Sequence, residues 1–559
     1  MTVTPEDRLR LRADVRLTRT ADGMLVRRGE TALLVRGQAA ATLERIAPRL
    51  TGTSTVRGLC AGLPADEQRT LVQLAALLLR HDCARDVAQD NRASPAEDPR
   101  RHRVLLRCRW PAAAPMVAAA ARTLLRSGMP AIDVAADLSG RDCAALDAEA
   151  ATGHPATLRF VSGQAAGHGY TAIVTVEPIG GPHEAPGEVT VAAFVGDDVA
   201  VIGATTGADG GPCPSCTRLR LLANRDPGTV APAAPDGARA AIAGTLLAAE
   251  VLAAVRGGRR PFPAVLVLDL ATCETHRERL LPHPGCAHPR GAADATAADL
   301  VAPHVGVLAG FTDDAATQLP LRVGAVRLAY PAQTFVAYHP FTVDAARDAA
   351  VRAAVAHYAE AVLPDRPLRW APARRPFTGD PASSPAGPSR AGVGVGAGLA
   401  DAVTAGLCHV LAGDAARAGP GRPVEPAALY AGASRPDILE LLVRTAARAG
   451  LPVRLSVPAG AAIPVVVARV PRSTPAVGWG DDLAAAATQA LLSLLGPRQL
   501  AGYGRPHPVL DTGALLPAAE RWLREQHRDA WFADITPVDV ARTGLTVVRV
   551  LLMCRRPGS

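Results

Sequence analysis

The chain has 559 residues, 48% of them hydrophobic, and a formal net charge of +8. That length exceeds what one hydrophobic core normally supports, so several domains are expected. The sequence contains no lysine, which excludes a P-loop lysine, a Schiff-base lysine and a lysine general base. The net positive charge favours an acidic partner such as nucleic acid, a membrane surface or an acidic peptide.

Ten cysteines are too few for a disulfide scaffold in a chain of 559 residues. The first residues, MTVTPEDRLRLR, are charged and no apolar signal core follows them. No run of about 18 apolar residues is evident, so no membrane-spanning helix is expected. We therefore predict a cytoplasmic protein with reduced thiols.

Residues 8–87 predict a small domain of three strands followed by three helices. The strands are DVRLT, MLVRR and TALLVRG, and the ADG between the first two predicts a hairpin. The helices are QAAATLERIAPRL, GTSTVRGLCAGL and PADEQRTLVQLAALLLRHDC, the second capped by Thr53 or Ser54. This order is the layout of a winged helix-turn-helix.

Residues 88–102 lose all periodicity, which is typical of a linker. From 103 to 298 strands alternate with helices, as expected of an α/β sheet domain, and ARAAIAGTLLAAEVLAAVRGG predicts one long helix closed by glycines. Strands and helices continue over 299–559. A Pro/Ser/Arg-rich insert near 364–391 is expected to be poorly ordered. The fold class is therefore multidomain α/β.

A Cys-x-x-Cys pair, Cys213 and Cys216, lies in GPCPSCTRLR, and HPGCAHPR supplies Cys286 and His288 further on. Thiolates and imidazoles are ligands of tetrahedral zinc, and a metal here would close a long loop and tie a helix to the sheet. We predict a structural zinc held by these four residues, although a site without metal stays open. A redox pair is disfavoured, because CPSC here is not expected to open a helix from a strand in a short thioredoxin-like unit. Reserve ligands nearby are Cys273, His276 and His283.

The sequence lacks a glycine-rich loop after the first strand of the α/β domain, where a nucleotide-binding domain carries one. GVGVGAG, which begins at Gly392, formally satisfies G-x-G-x-x-A. It follows the Pro-rich insert and not a buried strand, so we do not interpret it as a dinucleotide-binding loop.

Three segments in order resemble the ThiF-like leader-peptide-binding protein of azol(in)e-forming ribosomal peptide pathways, which partners or is fused to a YcaO cyclodehydratase. DGMLVRRGETALLVRG, within 8–87, looks like a PqqD-type recognition element. GPCPSCTRLRLLANRDP, AEVLAAV and HPGCAHP, within 103–298, look like a ThiF-type, ubiquitin-activating-like domain. LVAPHVGVLAGFTDD, GAGLADAVTAGLCHVLAG and DITPVDVARTGLTVVRVLLM, within 299–559, resemble a YcaO domain.

The chain also departs from that family at polar positions. Pro289 stands where the last cysteine of a second Cys-x-x-Cys is expected. His409 and Ala412 fall where active YcaO domains carry two glutamates for ATP and magnesium, and Ser493 and Gly496 fall at a later Glu and Gln. Magnesium requires hard oxygen ligands. The resemblance therefore implies a degenerate YcaO-like domain with no catalytic residues and no ATP.

The resemblance implies a non-catalytic recruiter that binds an acidic leader of a precursor peptide. The recruiter would present that peptide to a separate YcaO cyclodehydratase, which forms thiazolines or oxazolines from Cys, Ser and Thr. We expect strand addition at ETALLVR, with no nucleic acid or membrane partner and a homodimer through the ThiF-like domain. The predicted peptide-binding residues are Ala32, Leu33, Leu34, Val35, Arg36, Arg69, Gln73, Ala76, Leu77 and Arg80.

Two other classes of function stay open. The chain could be an ATP-dependent cyclodehydratase or adenylating enzyme that uses unconventional residues. It could also be a zinc-containing winged-helix DNA-binding protein, which its basic charge would suit. Asp66 and Glu67 at the start of the candidate recognition helix would meet phosphate, and this disfavours the DNA-binding interpretation.

Overall fold

The fold was analysed in a computed structural model, in which two compact units, Met1–Arg101 and His102–Ser559, are described separately. The structure describes residues 4–11, 15–20, 22–28, 31–81, 83–86, 102–108, 110–152, 156–161, 169–179, 190–205, 214–225, 235–255, 264–286, 295–363, 368–373, 389–417, 421–430, 436–499, 506–507 and 515–554. The finer domain boundaries at 87, 102 and 298 stay predictions.

The first unit combines two small antiparallel sheets with three helices. Its strands are β1 (Arg8–Leu11), β2 (Arg16–Thr20), β3 (Gly23–Arg28), β4 (Thr31–Val35), β5 (Thr51–Thr55) and β6 (Ala84–Asp86). Its helices are α1 (Gly37–Ile46), α2 (Val56–Cys60) and α3 (Ala65–Arg80). The strand orders are β2-β3-β4 and β5-β1-β6, and apolar residues of both sheets and all three helices share one core.

The three predicted strands are present as β2, β3 and β4 and the three predicted helices as α1, α2 and α3, but the strands β1, β5 and β6 were not predicted. The segment GTSTVRGLCAGL was predicted to form a helix capped at Thr53 or Ser54, but its first part forms β5, which pairs with β1. Helix α2 therefore begins later, and Thr55 caps it by accepting a hydrogen bond from the Gly58 amide at 3.1 Å. The predicted caps, Thr53 and Ser54, are wrong because β5 contains both residues.

The second unit begins with an eight-stranded sheet. Its strands are β7 (Arg103–Cys108), β8 (Ala131–Ala135), β9 (Thr157–Phe160), β10 (Ala172–Pro178), β11 (Thr190–Val195), β12 (Val199–Thr205), β13 (Ala264–Asp269) and β14 (Thr275–Arg279). Its helices are α4 (Ala114–Arg126), α5 (Gly140–Thr152), α6 (Pro214–Ala223) and α7 (Gly237–Val255). The strand order is β14-β13-β12-β11-β10-β7-β8-β9.

This sheet is mixed, parallel from β9 to β11 and antiparallel from β11 to β14. Because side chains alternate along each strand, each face has its own apolar layer. Helices α4 and α7 cover one face, and α6 lies on the other with Cys216 and Leu221 in its core. By length and composition, α7 is the described helix that could cross a membrane. Here it packs against α4, where Gly244 faces the Met116 carbonyl.

The remainder of the second unit has three four-stranded sheets. The strands are β15 (Leu308–Phe311), β16 (Arg322–Leu328), β17 (Gln333–His339), β18 (Ala371–Pro372), β19 (Ser389–Gly396), β20 (Arg422–Val424), β21 (Arg454–Val457), β22 (Val465–Arg469), β23 (Ala476–Trp479), β24 (Pro506–His507), β25 (Arg528–Asp534) and β26 (Thr546–Cys554). The helices are α8 (Val343–Ala361), α9 (Leu399–Arg417), α10 (Pro426–Tyr430), α11 (Pro436–Arg448), α12 (Leu483–Gln499), α13 (Leu516–Glu525) and α14 (Val538–Arg542). The strand orders are β15-β16-β17-β24, β18-β25-β26-β19 and β20-β21-β22-β23.

Most of the predicted Pro/Ser/Arg-rich insert lies outside the described residues. The described parts are regular at both ends, since β18 falls inside the predicted insert and β19 begins at Ser389. The insert is thus bounded by two strands of one sheet.

A buried polar cluster joins α6 to the C-terminal helices of the second unit. The Arg220 guanidinium pairs with the Asp539 carboxylate, and its Nη1 donates to the Tyr358 hydroxyl at 3.1 Å. Tyr358 in turn donates to Asp539 at 2.6 Å, and Arg220 Nη2 donates to the Pro282 carbonyl at 3.3 Å. Burial, together with the neighbouring Asp539, raises the pKa of Tyr358 well above its ordinary value. The cluster therefore fixes the position of α6, which carries Cys216.

Candidate functional site

A cavity of about 1500 Å³ lies in the C-terminal part of the second unit, between the sheets and helices that follow residue 299. Strands β17, β19 and β23 and helices α8, α9 and α12 contribute its walls. Its polar and charged lining residues are Gln333, Asp348, Arg352, His357, Glu360, Asp401, His409, Ser473, Thr474, Ser493 and Arg498. This size is above that of most small-ligand pockets.

The glycine segment at one wall of the cavity permits close packing of a helix. Gly392, Gly394 and Gly396 lie inside strand β19, which pairs with β26 along its whole length. A side-chain carbon at Gly394 would collide with backbone atoms of Ala402 and Gly406 in α9. The glycines thus lie within a strand that was not predicted from the sequence, and they permit the close approach of β19 to α9.

Two of the four positions at which the sequence departs from the YcaO pattern, His409 and Ser493, line this cavity. His409 stacks on Trp479 with ring centroids 6.0 Å apart and an interplanar angle of 12°, and its Nδ1 lies 3.3 Å from the Val393 carbonyl oxygen. Ser493 faces the cavity from α12. Neither side chain offers a carboxylate to magnesium.

The other two degenerate positions are packed into apolar surroundings. Ala412 has 0% exposure and belongs to a hydrophobic core cluster. Gly496 abuts Tyr338, because a side-chain carbon there would overlap the tyrosine ring. Burial raises the pKa of Tyr338 to about 12, so the ring stays neutral. A Glu or Gln at position 496 would not fit without displacement of Tyr338.

Carboxylates that the sequence pattern had not indicated lie at the cavity. Asp348 and Glu360 come from α8 and Asp401 from α9, and all three are exposed. Asp348 already pairs with Arg352 at 2.9 Å. No sequence motif marks these residues, since they line one cavity only when the two helices pack around it.

The predicted peptide-binding strand β4 is at an edge of its sheet. Among the described residues β4 pairs with β3 alone. Ala32, Leu34 and Arg36 are exposed, with Leu34 41% exposed, whereas Val35 is buried in the core. Leu33 packs at the margin of that core. The predicted alternation of faces along ETALLVR is therefore present.

The predicted helical residues lie on α3, which packs on the same core as β4. Leu77 of α3 and Leu33 of β4 both lie at the core margin. The remaining predicted residues are exposed or half-buried, namely Arg69, Gln73, Ala76 and Arg80.

The acids at the start of α3 are held by α1. Asp66 accepts a hydrogen bond from Gln38 Nε2 at 3.0 Å, which contributes most to lowering its pKa, and Glu67 pairs with Arg45.

Two of the predicted zinc ligands lie in one apolar cluster of the second unit, and the other two, Cys213 and His288, lie outside the described residues. Cys216 is buried, and its Sγ accepts a hydrogen bond from the His283 amide at 3.2 Å. Cys286 packs against the same cluster, and its amide donates to the His283 carbonyl at 2.9 Å. The structure thus brings Cys216 and Cys286 to the same side of the sheet.

The helical context of the CPSC motif differs from the sequence expectation. Helix α6 begins at Pro214, so Cys216 lies in its first turn. Proline is well suited to that turn because its missing N–H has no helical partner there. CPSC therefore does open a helix, contrary to that part of the expectation from the sequence, and the residues between β12 and Pro214 lie outside the described residues.

The three reserve ligands, Cys273, His276 and His283, each contact different residues. Burial, helped by the Arg220 guanidinium, lowers the pKa of His283 to about 4, and its Nδ1 accepts from the Gly285 amide. Cys273 is exposed in the turn between β13 and β14. His276 lies on β14 and contacts Glu278.

The architecture that these features define is the multidomain α/β fold of heterocyclases. No protein-family model and no curated protein matches the sequence. Among solved structures, a heterocyclase in complex with substrate and cofactor is similar over 98% of this chain and 95% of its own, with a TM-score of 0.55 and 11% identity. The heterocyclase TruD is also similar, over 99% and 95% of the two chains, with a TM-score of 0.47 and 12% identity. At 11% identity the similarity to the first of these structures shows the fold alone.

Proposed function

We propose that this chain is a non-catalytic recruiter in azoline formation on ribosomally made peptides. It binds an acidic leader through β4 and α3 of the first unit and presents the rest of the precursor to a separate YcaO cyclodehydratase. The observation that carries the proposal is the edge strand β4, which pairs on one side among the described residues, in a chain with a heterocyclase fold.

The edge of β4 supplies backbone hydrogen bonds, and its side chains supply selectivity. An extended leader would pair with alternate N–H and C=O groups, each bond contributing about 1 kcal/mol net. Leu34 is available to a partner because it is 41% exposed, whereas Val35 is buried and can offer only its backbone. Selectivity then depends on Leu34, Arg36 and the exposed side chains of α3.

Charge favours an acidic leader at this surface. Arg36, Arg69 and Arg80 are exposed. Arg80 makes no ion pair with any residue that the structure describes. A leader carboxylate could therefore approach Arg80 without displacing an internal partner, and such an interaction weakens with salt.

The degenerate cavity supports the non-catalytic part of the proposal. His409 and Ser493 face it without carboxylates, Ala412 is buried among apolar groups, and Tyr338 blocks the space beside Gly496. A structural zinc at Cys213, Cys216, Cys286 and His288, a cytoplasmic location, a homodimer through the ThiF-like domain and the absence of ATP complete the proposal.

Binding of a fluorescein-labelled acidic leader from a precursor peptide rich in Cys, Ser and Thr tests the proposal. Arg80→Glu should weaken binding at least about fivefold, more strongly at low salt. Arg19→Glu changes the net charge equally but alters β2, the opposite edge of the sheet. It should therefore bind almost as the parent does. Equal loss in both variants, or no binding by the parent, would contradict the proposed site.

A second candidate is an ATP-dependent enzyme, and the cavity with Asp348, Glu360 and Asp401 at its lining is the observation that favours it. Phosphate release from ATP should be measured with the precursor peptide, with and without a YcaO partner. Peptide-dependent release by this chain alone, abolished by Asp401→Asn, would establish the enzyme and overturn the recruiter.

A further inference from the structure

A buried carboxylate lies beside two imidazoles at the edge of the eight-stranded sheet. Glu278 is on β14, the edge strand, and its side chain is 3% exposed. Its Oε1 is 2.9 Å from His276 Nε2 and 2.6 Å from His304 Nδ1. The two imidazole nitrogens and this oxygen therefore converge on one point of the structure.

The other carboxylate oxygen is held by the backbone. The amides of His304 and Val305 each donate to Glu278 Oε2 at 3.0 Å. The carboxylate cannot rotate away without loss of both bonds, so Oε1 has a fixed direction. This is the kind of outer support that orients a ligand in metal sites.

The strand places two of the three groups on one face by simple alternation. His276 and Glu278 are two residues apart on β14, so their side chains project to the same side. Arg277, between them, projects to the opposite side and pairs with Glu250 of α7 at 2.7 Å. His304 comes from the loop before β15, which places the third group over the first two.

A buried carboxylate is normally hydrogen-bonded, paired with a cation or bound to a metal ion. The described residues give Glu278 no arginine partner, and its contacts are two amides and two imidazoles. Two nitrogens and one oxygen suit a first-row transition ion such as Zn²⁺, Co²⁺ or Ni²⁺ better than Mg²⁺ or Ca²⁺. His276 is 48% exposed, so an ion here would keep an open coordination position.

We propose that His276, Glu278 and His304 form a binding site for a divalent transition-metal ion, distinct from the cysteine site on α6. The ion would be held by His276 Nε2, His304 Nδ1 and Glu278 Oε1, with water at the open side. It would tie the loop before β15 to the edge strand of the sheet. Small outward movements of the rings would suffice, since metal–nitrogen and metal–oxygen distances are about 2.0–2.2 Å.

Co²⁺ titration of the untagged full chain, stripped of metal with a chelator, tests the site. Cobalt bound by thiolates gives an intense near-ultraviolet charge-transfer band, whereas cobalt bound by imidazole and carboxylate gives visible ligand-field bands alone. The parent should bind one equivalent of Co²⁺ that gives ligand-field bands and no thiolate band. If the cysteines bind a second equivalent, that one alone should give the thiolate band. Zn²⁺ competition against a chromophoric chelator then measures the affinity.

His304→Gln and His276→Gln should each lower the affinity for this Co²⁺ ion at least about tenfold. Loss of an outer-shell partner already costs about 10- to 100-fold in metal affinity, and these two residues are direct ligands in the proposal. His527→Asn removes an exposed imidazole elsewhere and should change nothing. His276 is half-exposed, so its variant should fold even if the His304 variant does not. The proposal would be overturned if the parent and the His276 variant bound equal amounts of Co²⁺. It would also be overturned if all the Co²⁺ that the parent binds gave the thiolate band.

Discussion

The polar cluster of Arg220, Tyr358 and Asp539 allows a quantitative test of how the second unit is held together. Arg220 is 2% exposed and Asp539 0% exposed. Asp539→Asn leaves the guanidinium buried without its counter-charge, and loss of one partner of a buried pair typically costs about 3–5 kcal/mol. Tyr358→Phe removes two hydrogen bonds and no formal charge, so it should cost less, about 1–3 kcal/mol.

Urea unfolding followed by tryptophan fluorescence measures the change in the free energy of unfolding of the second unit. All five tryptophans lie between residues 110 and 531, within the second unit. The signal is therefore independent of unfolding in the first unit. Glu440→Gln is the matched control, because its pair with Arg444 is exposed and should contribute less than about 1 kcal/mol.

A double replacement separates the effect of an unpaired charge from that of lost packing. Arg220→Met with Asp539→Leu is made in the Tyr358→Phe background, because the Tyr358 hydroxyl would otherwise lose both of its buried partners. This combination removes both charges and keeps apolar volume, so it should recover most of the stability lost in Asp539→Asn. The reasoning would be refuted if Asp539→Asn cost no more than the surface control. It would also be refuted if the combined variant were as unstable as Asp539→Asn.

Three further predictions concern a histidine, the cysteine site and the degenerate cavity. His339 Nδ1 accepts the Phe341 and Thr342 amides before α8, and burial lowers its pKa below 6.5, so stability should fall as pH drops below about 6.5. His339→Asn keeps an acceptor without that titration and should show a shallower fall between about pH 7 and 5.5 in thermal melts; equal slopes would contradict this. Elemental analysis of freshly purified protein should find zinc that is lost in Cys286→Ser, and zinc unaffected by that change would rule out the cysteine site. Gly496→Gln should destabilise the second unit by about 1–3 kcal/mol through overlap with Tyr338, and an unchanged urea midpoint would show that the ring can move.

The strands and helices with strong periodicity could be predicted from the sequence. β2, β3 and β4, the long α7 and the strands β7 to β13 all follow alternating or helical patterns. Elements with weak or mixed patterns were missed, such as β14, whose residues Thr275–Arg279 include no apolar side chain. Its strand conformation depends on pairing with β13, which is tertiary context that a local pattern does not contain.

The polar sites could be predicted only in part, because their residues are far apart in the chain. The Cys-x-x-Cys motif is visible locally, whereas Arg220 and Asp539 are separated by more than 300 positions. His304 has no spacing that relates it to His276 and Glu278. Such groups become neighbours because of the order of strands in the sheet and because loops fold back over it. A single sequence carries no signal for the strand order or for the path of the loops.

The shape of the cavity and its chemistry have different physical origins, which bears on the choice between recruiter and enzyme. Its walls depend on backbone packing, as at Gly394 against Ala402 and Gly406. None of those contacts requires a charged side chain, so the cavity can keep its shape with or without metal-binding carboxylates. A large cavity therefore does not by itself favour catalysis. The distinction rests on which side chains face it, and at His409 and Ser493 these are an imidazole and a hydroxyl.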